Sequence, residues 1–72
     1  MSKYEIHFLN YVIRAFAERF ALSRQAAYAY LVKYKGLAFL IEFYDVEHLQ
    51  DIEETLDDLV IKCQQFGGNL SC

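Results

Sequence analysis

A chain of 72 residues makes one domain, residues 1–72, and a single core of that size supplies only roughly 3–5 kcal/mol without a disulfide, a metal or a partner chain. At 56% hydrophobic and 24% charged, it holds more apolar side chain than so small a globule hides, which implies a partner surface. Net charge is −3 and pI ≈ 5.2, a balance that argues against nucleic-acid binding. The charge is also divided. Residues 1–36 carry Lys3, Arg14, Arg19, Arg24, Lys33 and Lys35 against Glu5 and Glu18, whereas Lys62 is the lone cation of residues 37–72.

The longest apolar run, Leu37-Ala38-Phe39-Leu40-Ile41, is too short to cross a bilayer. Lys3, Glu5, His7 and Asn10 interrupt the N-terminal stretch, against a secretory leader. Cys63 falls on an apolar helical position and reads as a small core residue, and Cys72, the last residue, is expected to fray. A cytoplasmic protein with reduced thiols is expected.

The first helix is expected over residues 3–20, where Ile6, Leu9, Ile13, Phe16 and Phe20 follow 3-4 spacing. Arg14 and Glu18 are four apart and can pair on its solvent side. Ser23 is a good N-cap for a second helix over residues 23–35, with an apolar face of Ala26, Ala27, Tyr30, Leu31 and Tyr34. Gly36 stands where a left-handed residue commonly ends a helix. A short third helix is expected over residues 37–44, because no second strand candidate exists to pair with this stretch. Residues 45–50 read as a connecting turn. Asp51 then opens a last helix over residues 52–66, with Glu54 as capping-box partner. Ile52, Leu56, Leu59, Val60, Cys63 and Phe66 make its apolar stripe, and Gly67-Gly68 ends it. The expected fold is all-α, a compact bundle of about four helices, one of them short.

Little here carries chemistry. His7 and His48 lack metal-ligand spacing and neither cysteine sits in a CxxC. No glycine-rich phosphate loop follows a strand. Catalytic residues, a metal and a cofactor are therefore not expected, and the chain is read as a non-enzyme. Glu53, Glu54, Asp57 and Asp58 give the last helix an acidic face, either solvated charge or a docking surface. Aromatic, acid, imidazole and amide side chains crowd together once, in Tyr44-Asp45-Val46-Glu47-His48-Leu49-Gln50. In one account His48 and Gln50 hold the turn by bonding to backbone groups that no helix satisfies. In the other they face a partner.

Ser23, Leu31, Lys35-Gly36, Leu40-Ile41, the Tyr44-Asp45-Val46 run with His48 and Gln50, Leu56-Asp57-Asp58 and Gly67-Gly68 together resemble a family of short bacterial helical proteins catalogued as a domain of unknown function. The resemblance spans roughly residues 4–68. Its most specific part is Tyr-Asp-Val-x-His-x-Gln, met by Tyr44, Asp45, Val46, His48 and Gln50. The family usually has Thr where this chain has Leu49, and Arg where it has Phe66. The resemblance implies a place beside ADP-ribosyltransferase-like toxin proteins, hence a role as antitoxin or immunity partner.

The favoured function is a protein-binding module that occupies a partner or a second copy of itself. Its contact surface would be the acidic last helix and the exposed tyrosines, which bury much area and keep a polar tip. The alternative is a small DNA-binding regulator using residues 23–34, with Ser23 at the start and Tyr34 at the end of its recognition helix.

Overall fold

The structure, a computed structural model, describes residues 2–70. Helix α1 spans Lys3–Arg19, α2 Arg24–Lys33, α3 Gly36–Glu42, α4 Tyr44–Glu47 and α5 Ile52–Gln65. Among the described residues there is no strand, so the all-α expectation holds. Helix ends shift by a residue or two, α2 closing at Lys33 and α5 at Gln65, and one element is new. The third helix ends at Glu42, and Tyr44–Glu47 forms a one-turn helix where a plain turn was expected.

Helix α1 starts from a reciprocal cap, written in the sequence as Ser2-x-x-Glu5 but not among the expected caps. Ser2 Oγ accepts from the Glu5 N–H and the Glu5 carboxylate accepts from the Ser2 N–H, both at 3.2 Å. Its core face is Leu9, Val12, Ile13, Phe16 and Ala17. Ile6, one turn before Leu9, stays exposed. The expected Arg14–Glu18 pair is absent from the ion pairs of the described residues, where Arg19 instead reaches Glu53 and Asp57. Ser23 caps α2 as expected, its Oγ accepting from the Ala26 N–H at 3.0 Å. Asp51 takes the extended N-cap backbone of α5, but its side chain makes no capping bond. The expected Asp51–Glu54 box is thus not formed.

Helix α1 packs on α2 and α5, and α3 packs on the same two. Phe16, Leu31, Leu40, Leu59 and Val12 meet between them with no exposed surface. Each such side chain contributes roughly 1.5–3 kcal/mol by leaving water. Rings extend the core along α2, Phe16 lying 5.8 Å from Tyr30 and Tyr30 4.7 Å from Tyr34.

Three helices end with a left-handed residue, Ala21 (φ 54), Lys35 (φ 71) and Gly67 (φ 97). At the end of α5 the Gly68 N–H donates to the Cys63 carbonyl at 2.8 Å and the Gly67 N–H to Gln64 at 3.1 Å. At the end of α1, Leu22 and Ala21 repeat the pattern onto Ala17 and Glu18. This double closure satisfies carbonyls that the helix itself leaves free. The left-handed residue after α2 is Lys35, not Gly36. Gly36 opens α3 and is buried, and a Cβ there would lie 2.8 Å from Leu31 Cδ2 and 2.9 Å from Cys63 Sγ. Glycine is needed there for closeness, not for φ. Beyond α5, the Leu70 N–H donates to the Tyr30 hydroxyl at 3.1 Å, which clips residues 68–70 to α2. Cys72 lies outside the described residues.

Candidate functional site

The one-turn helix α4 presents its side chains in three directions. Tyr44 and His48, four residues apart, stack with ring centroids 4.3 Å apart and planes 8° from parallel. The His48 Nδ1–H donates to the Tyr44 carbonyl, which can only accept, so Nδ1 carries the proton. Phe8 of α1 meets both rings edge-on, at 5.4 Å from Tyr44 and 6.5 Å from His48. His48 does bond to backbone, but to a carbonyl that already accepts the His48 backbone N–H at 3.0 Å, not to a group left unsatisfied. Gln50 does not: its amide donates to Asp58 Oδ2 at 3.3 Å. Asp45, Val46 and Leu49 are exposed.

Glu47 points inward. It is only 4% exposed, and its Oε1 has no hydrogen-bond partner. Burial pushes its carboxyl up to about 7, the Asp58 carboxylate beside it pushes the same way, and Gln50 and Thr55 pull partly back. Thr55 Oγ1 donates to the Glu47 carbonyl at 3.2 Å, a buried bond that ties α4 to α5. Neither residue stood out in the chain. The available signal was Thr55, which fills the remaining 3-4 position on the buried stripe between Ile52 and Leu59. A polar residue there requires a buried partner.

Outside this acid cluster lies a groove of about 670 Å³. Phe8 and Tyr11 of α1 form one wall, His48 and Gln50 the end, and the first turn of α5, from Asp51 to Thr55, the other wall. The groove therefore joins two of the expected signature residues, an exposed tyrosine and half of the acidic face. Tyr44 lies behind it, stacked on His48.

The four acids of α5 have separate tasks. Glu53 Oε2 and Asp57 Oδ1 take the two arms of the Arg19 guanidinium at 2.7 and 2.9 Å, bracing α1 against α5. Asp58 turns toward Gln50 and Glu47. Glu54 is exposed on the groove wall. The exposed face of α2 carries Arg24 and Lys33 beside Tyr28 and Val32.

Cys63 is a free, fully buried thiol. Burial pushes its pKa up, and the Gly36 backbone N–H facing it partly offsets this. Among the described residues no group of His, Cys, Asp and Glu could hold a metal ion. Among the described residues no helix is long and apolar enough to cross a membrane.

The family described as Protein of unknown function (DUF3791) matches residues 7–65. The chain belongs to that family. The match runs from the second turn of α1 to the last residue of α5, so the whole groove and the acid cluster lie inside it. The glycine closure of α5 and the Leu70 clip lie beyond it. No curated protein and no solved structure matches the chain.

Proposed function

We propose that this chain is a cytoplasmic protein-binding module whose contact surface is the groove between α1, α4 and α5. The observation that carries the reading is the composition of that groove. The rings of Phe8 and Tyr11 line one wall, the His48 ring and the Gln50 amide add polar contacts, and Asp51, Glu53 and Glu54 edge the other side. Tyr11 is half exposed at 50%, and Leu49 at 78% stands beside the groove end. An aromatic centre with a charged rim is the anatomy of a protein contact. The acidic edge selects an apolar segment that bears lysine or arginine.

The resemblance to short helical proteins encoded beside ADP-ribosyltransferase-like toxins supplies the partner class. In that case the chain acts as antitoxin or immunity partner by occupying the toxin-like protein. A second copy of the chain is the other occupant of the same class.

The test is retrieval of the tagged chain from its own cells, followed by binding of the purified partner to variants. Tyr11→Ser and Glu54→Lys are expected to weaken the complex at least about tenfold each, as central aromatic and charge-reversed positions do. Lys33→Gln, outside the groove, is expected to bind as the parent does. Sedimentation over a wide concentration range separates the occupants, since a second copy gives a dimer that Tyr11→Ser dissolves. A monomer whose partner binding is indifferent to Tyr11 and Glu54 overturns the reading.

A further inference from the structure

Across Tyr11 from the acidic groove lies a second, smaller pocket of the opposite charge. It has a volume of about 230 Å³ and is lined by His7, Asn10, Tyr11, Arg14 and Arg24. The first four recur at positions i, i+3, i+4 and i+7 of α1, the spacing that puts side chains on one helix face. They form a polar stripe beside the apolar one. Arg24 comes from α2, where it is the first residue after the Ser23 cap.

Two features set this pocket apart from ordinary solvated charge. First, its cations are uncompensated. Among the described residues the ion pairs engage Arg19 and leave Arg14 and Arg24 without a carboxylate. Glu18, one turn beyond Arg14, is not in the lining. Second, the placement of Arg24 is electrostatically adverse. A helix N-terminus carries the positive end of the dipole and favours acids. The first turn of α2 contains no acid. Ser23 satisfies the Ala26 N–H, whereas the N–H groups of Arg24 and Gln25 have no acceptor among the described residues. Two guanidiniums and a helix N-terminus thus add their potentials with no carboxylate in the lining.

We propose that this pocket binds a phosphoryl group, either free phosphate or a phosphate monoester. Guanidinium forks match the oxygens of such a dianion in pairs. The Asn10 amide and Tyr11 hydroxyl add neutral donors. Arg24 opens α2, so the positive end of that helix dipole lies beside the pocket. A pocket this small takes the phosphoryl group itself and leaves any attached ester outside, against the Tyr11 ring.

The experiment uses the whole chain in low salt and follows its amide and arginine Nε–H resonances during titration. Inorganic phosphate is the first probe and phenyl phosphate the second. Saturable shifts centred on Asn10, Arg14 and Arg24 are expected, with a Kd below about 1 mM. Arg14→Gln and Arg24→Gln are each expected to weaken binding about tenfold or more, the equivalent of one charge-assisted bond. Both residues are exposed, so the variants keep the parent's helical circular dichroism. Lys33→Gln removes a cation outside the pocket and is expected to leave binding within about twofold. Tighter binding of phenyl phosphate assigns the site to monoesters, and equal binding assigns it to the phosphate group alone. The proposal is overturned by any of three results: no saturation up to about 20 mM phosphate, equal shifts with chloride at matched ionic strength, or equal weakening by Lys33→Gln. Loss of partner binding through the acidic groove leaves all three readouts untouched, so the two assignments fail separately.

Discussion

Replacing Glu47 by glutamine keeps its shape and removes its charge. In the folded chain the Glu47 carboxyl titrates near 7, against 4.5 for an ordinary glutamate. A carboxyl raised on folding binds its proton more tightly in the native state. Its contribution is therefore complete below pH 4.5 and is lost as pH rises toward 7. With about 1.4 kcal/mol per pH unit, the full loss is roughly 3 kcal/mol at pH 8. Water screens the group little, since the residue is 4% exposed. For a domain of roughly 3–5 kcal/mol that loss is most of the total. Glu47→Gln escapes it, and its amide can donate to the Asp58 carboxylate. The expected result is a variant equal to the parent within about 0.5 kcal/mol at pH 5 and roughly 2–3 kcal/mol more stable at pH 8. The melting temperature at pH 8 should then rise by at least about 8 °C. Denaturant and thermal unfolding of both proteins across pH 5–8 measure it, and the parent-minus-variant difference cancels the other carboxylates. Asp58→Asn supplies the companion measurement. It removes the second cause of the shift and keeps the first, burial, so the transition in the parent should move to lower pH without vanishing. A difference that does not change between pH 5 and 8, or a Glu47→Gln variant less stable than the parent at pH 8, refutes the reasoning.

Four further outcomes follow from the geometry. Gly36→Ala should cost about 1–3 kcal/mol in urea unfolding, because its new methyl overlaps Leu31 and Cys63 within 3.0 Å and small helix-propensity gains do not offset overpacking. Ala21→Gly should stabilise by about 0.5 kcal/mol, since the relief of a left-handed alanine at φ 54 exceeds the added freedom of the unfolded chain. Arg19→Gln should lose about 1 kcal/mol at low salt and less at 1 M salt, because both its carboxylate partners are exposed, with side-chain exposures of 73% and 58%. His48→Ala should cost no more than about 1 kcal/mol, because the Tyr44 carbonyl keeps its bond from the His48 backbone N–H at 3.0 Å; a larger drop in the melting temperature would show that the ring stack holds the turn.

The helical fold was legible because long 3-4 stripes carry their own phase. Leu9, Ile13 and Phe16 of α1, and Leu56, Leu59, Val60 and Cys63 of α5, are all buried as their spacing required. The helix ends were legible only in part. Ala21, Lys35 and Gly67 share one left-handed geometry, yet only Gly67 has the residue type that advertises it. Gly36 advertised the same geometry and serves another purpose. A glycine signals two things at once, tolerance of positive φ and absence of a Cβ, and only packing tells them apart.

The acid cluster was illegible for a deeper reason. A helix of one turn has no period, so nothing in Tyr44–Glu47 distinguishes the exposed Asp45 from the buried Glu47. The distinction is made eight residues later. Thr55 occupies a core position of α5, and its hydroxyl needs an acceptor, which it finds in the Glu47 carbonyl. That bond sets the rotation of α4 about its axis. Once it is set, Tyr44 and His48 fall against Phe8, Glu47 faces Asp58, and Asp45 is left in water. The groove wall and the acid beneath it are thus two consequences of one anchor. Thr55→Val, close to isosteric but without the hydroxyl, should therefore disturb both. The Glu47 carbonyl would lose its side-chain donor, the rotation of α4 would loosen, and the Glu47 carboxyl would gain access to water. The pH dependence of stability should flatten, and the Tyr44 and His48 ring resonances should move together. If the Thr55→Val protein keeps both the ring resonances and the full pH dependence of the parent, the rotation of α4 is set by core packing alone and the anchor is incidental.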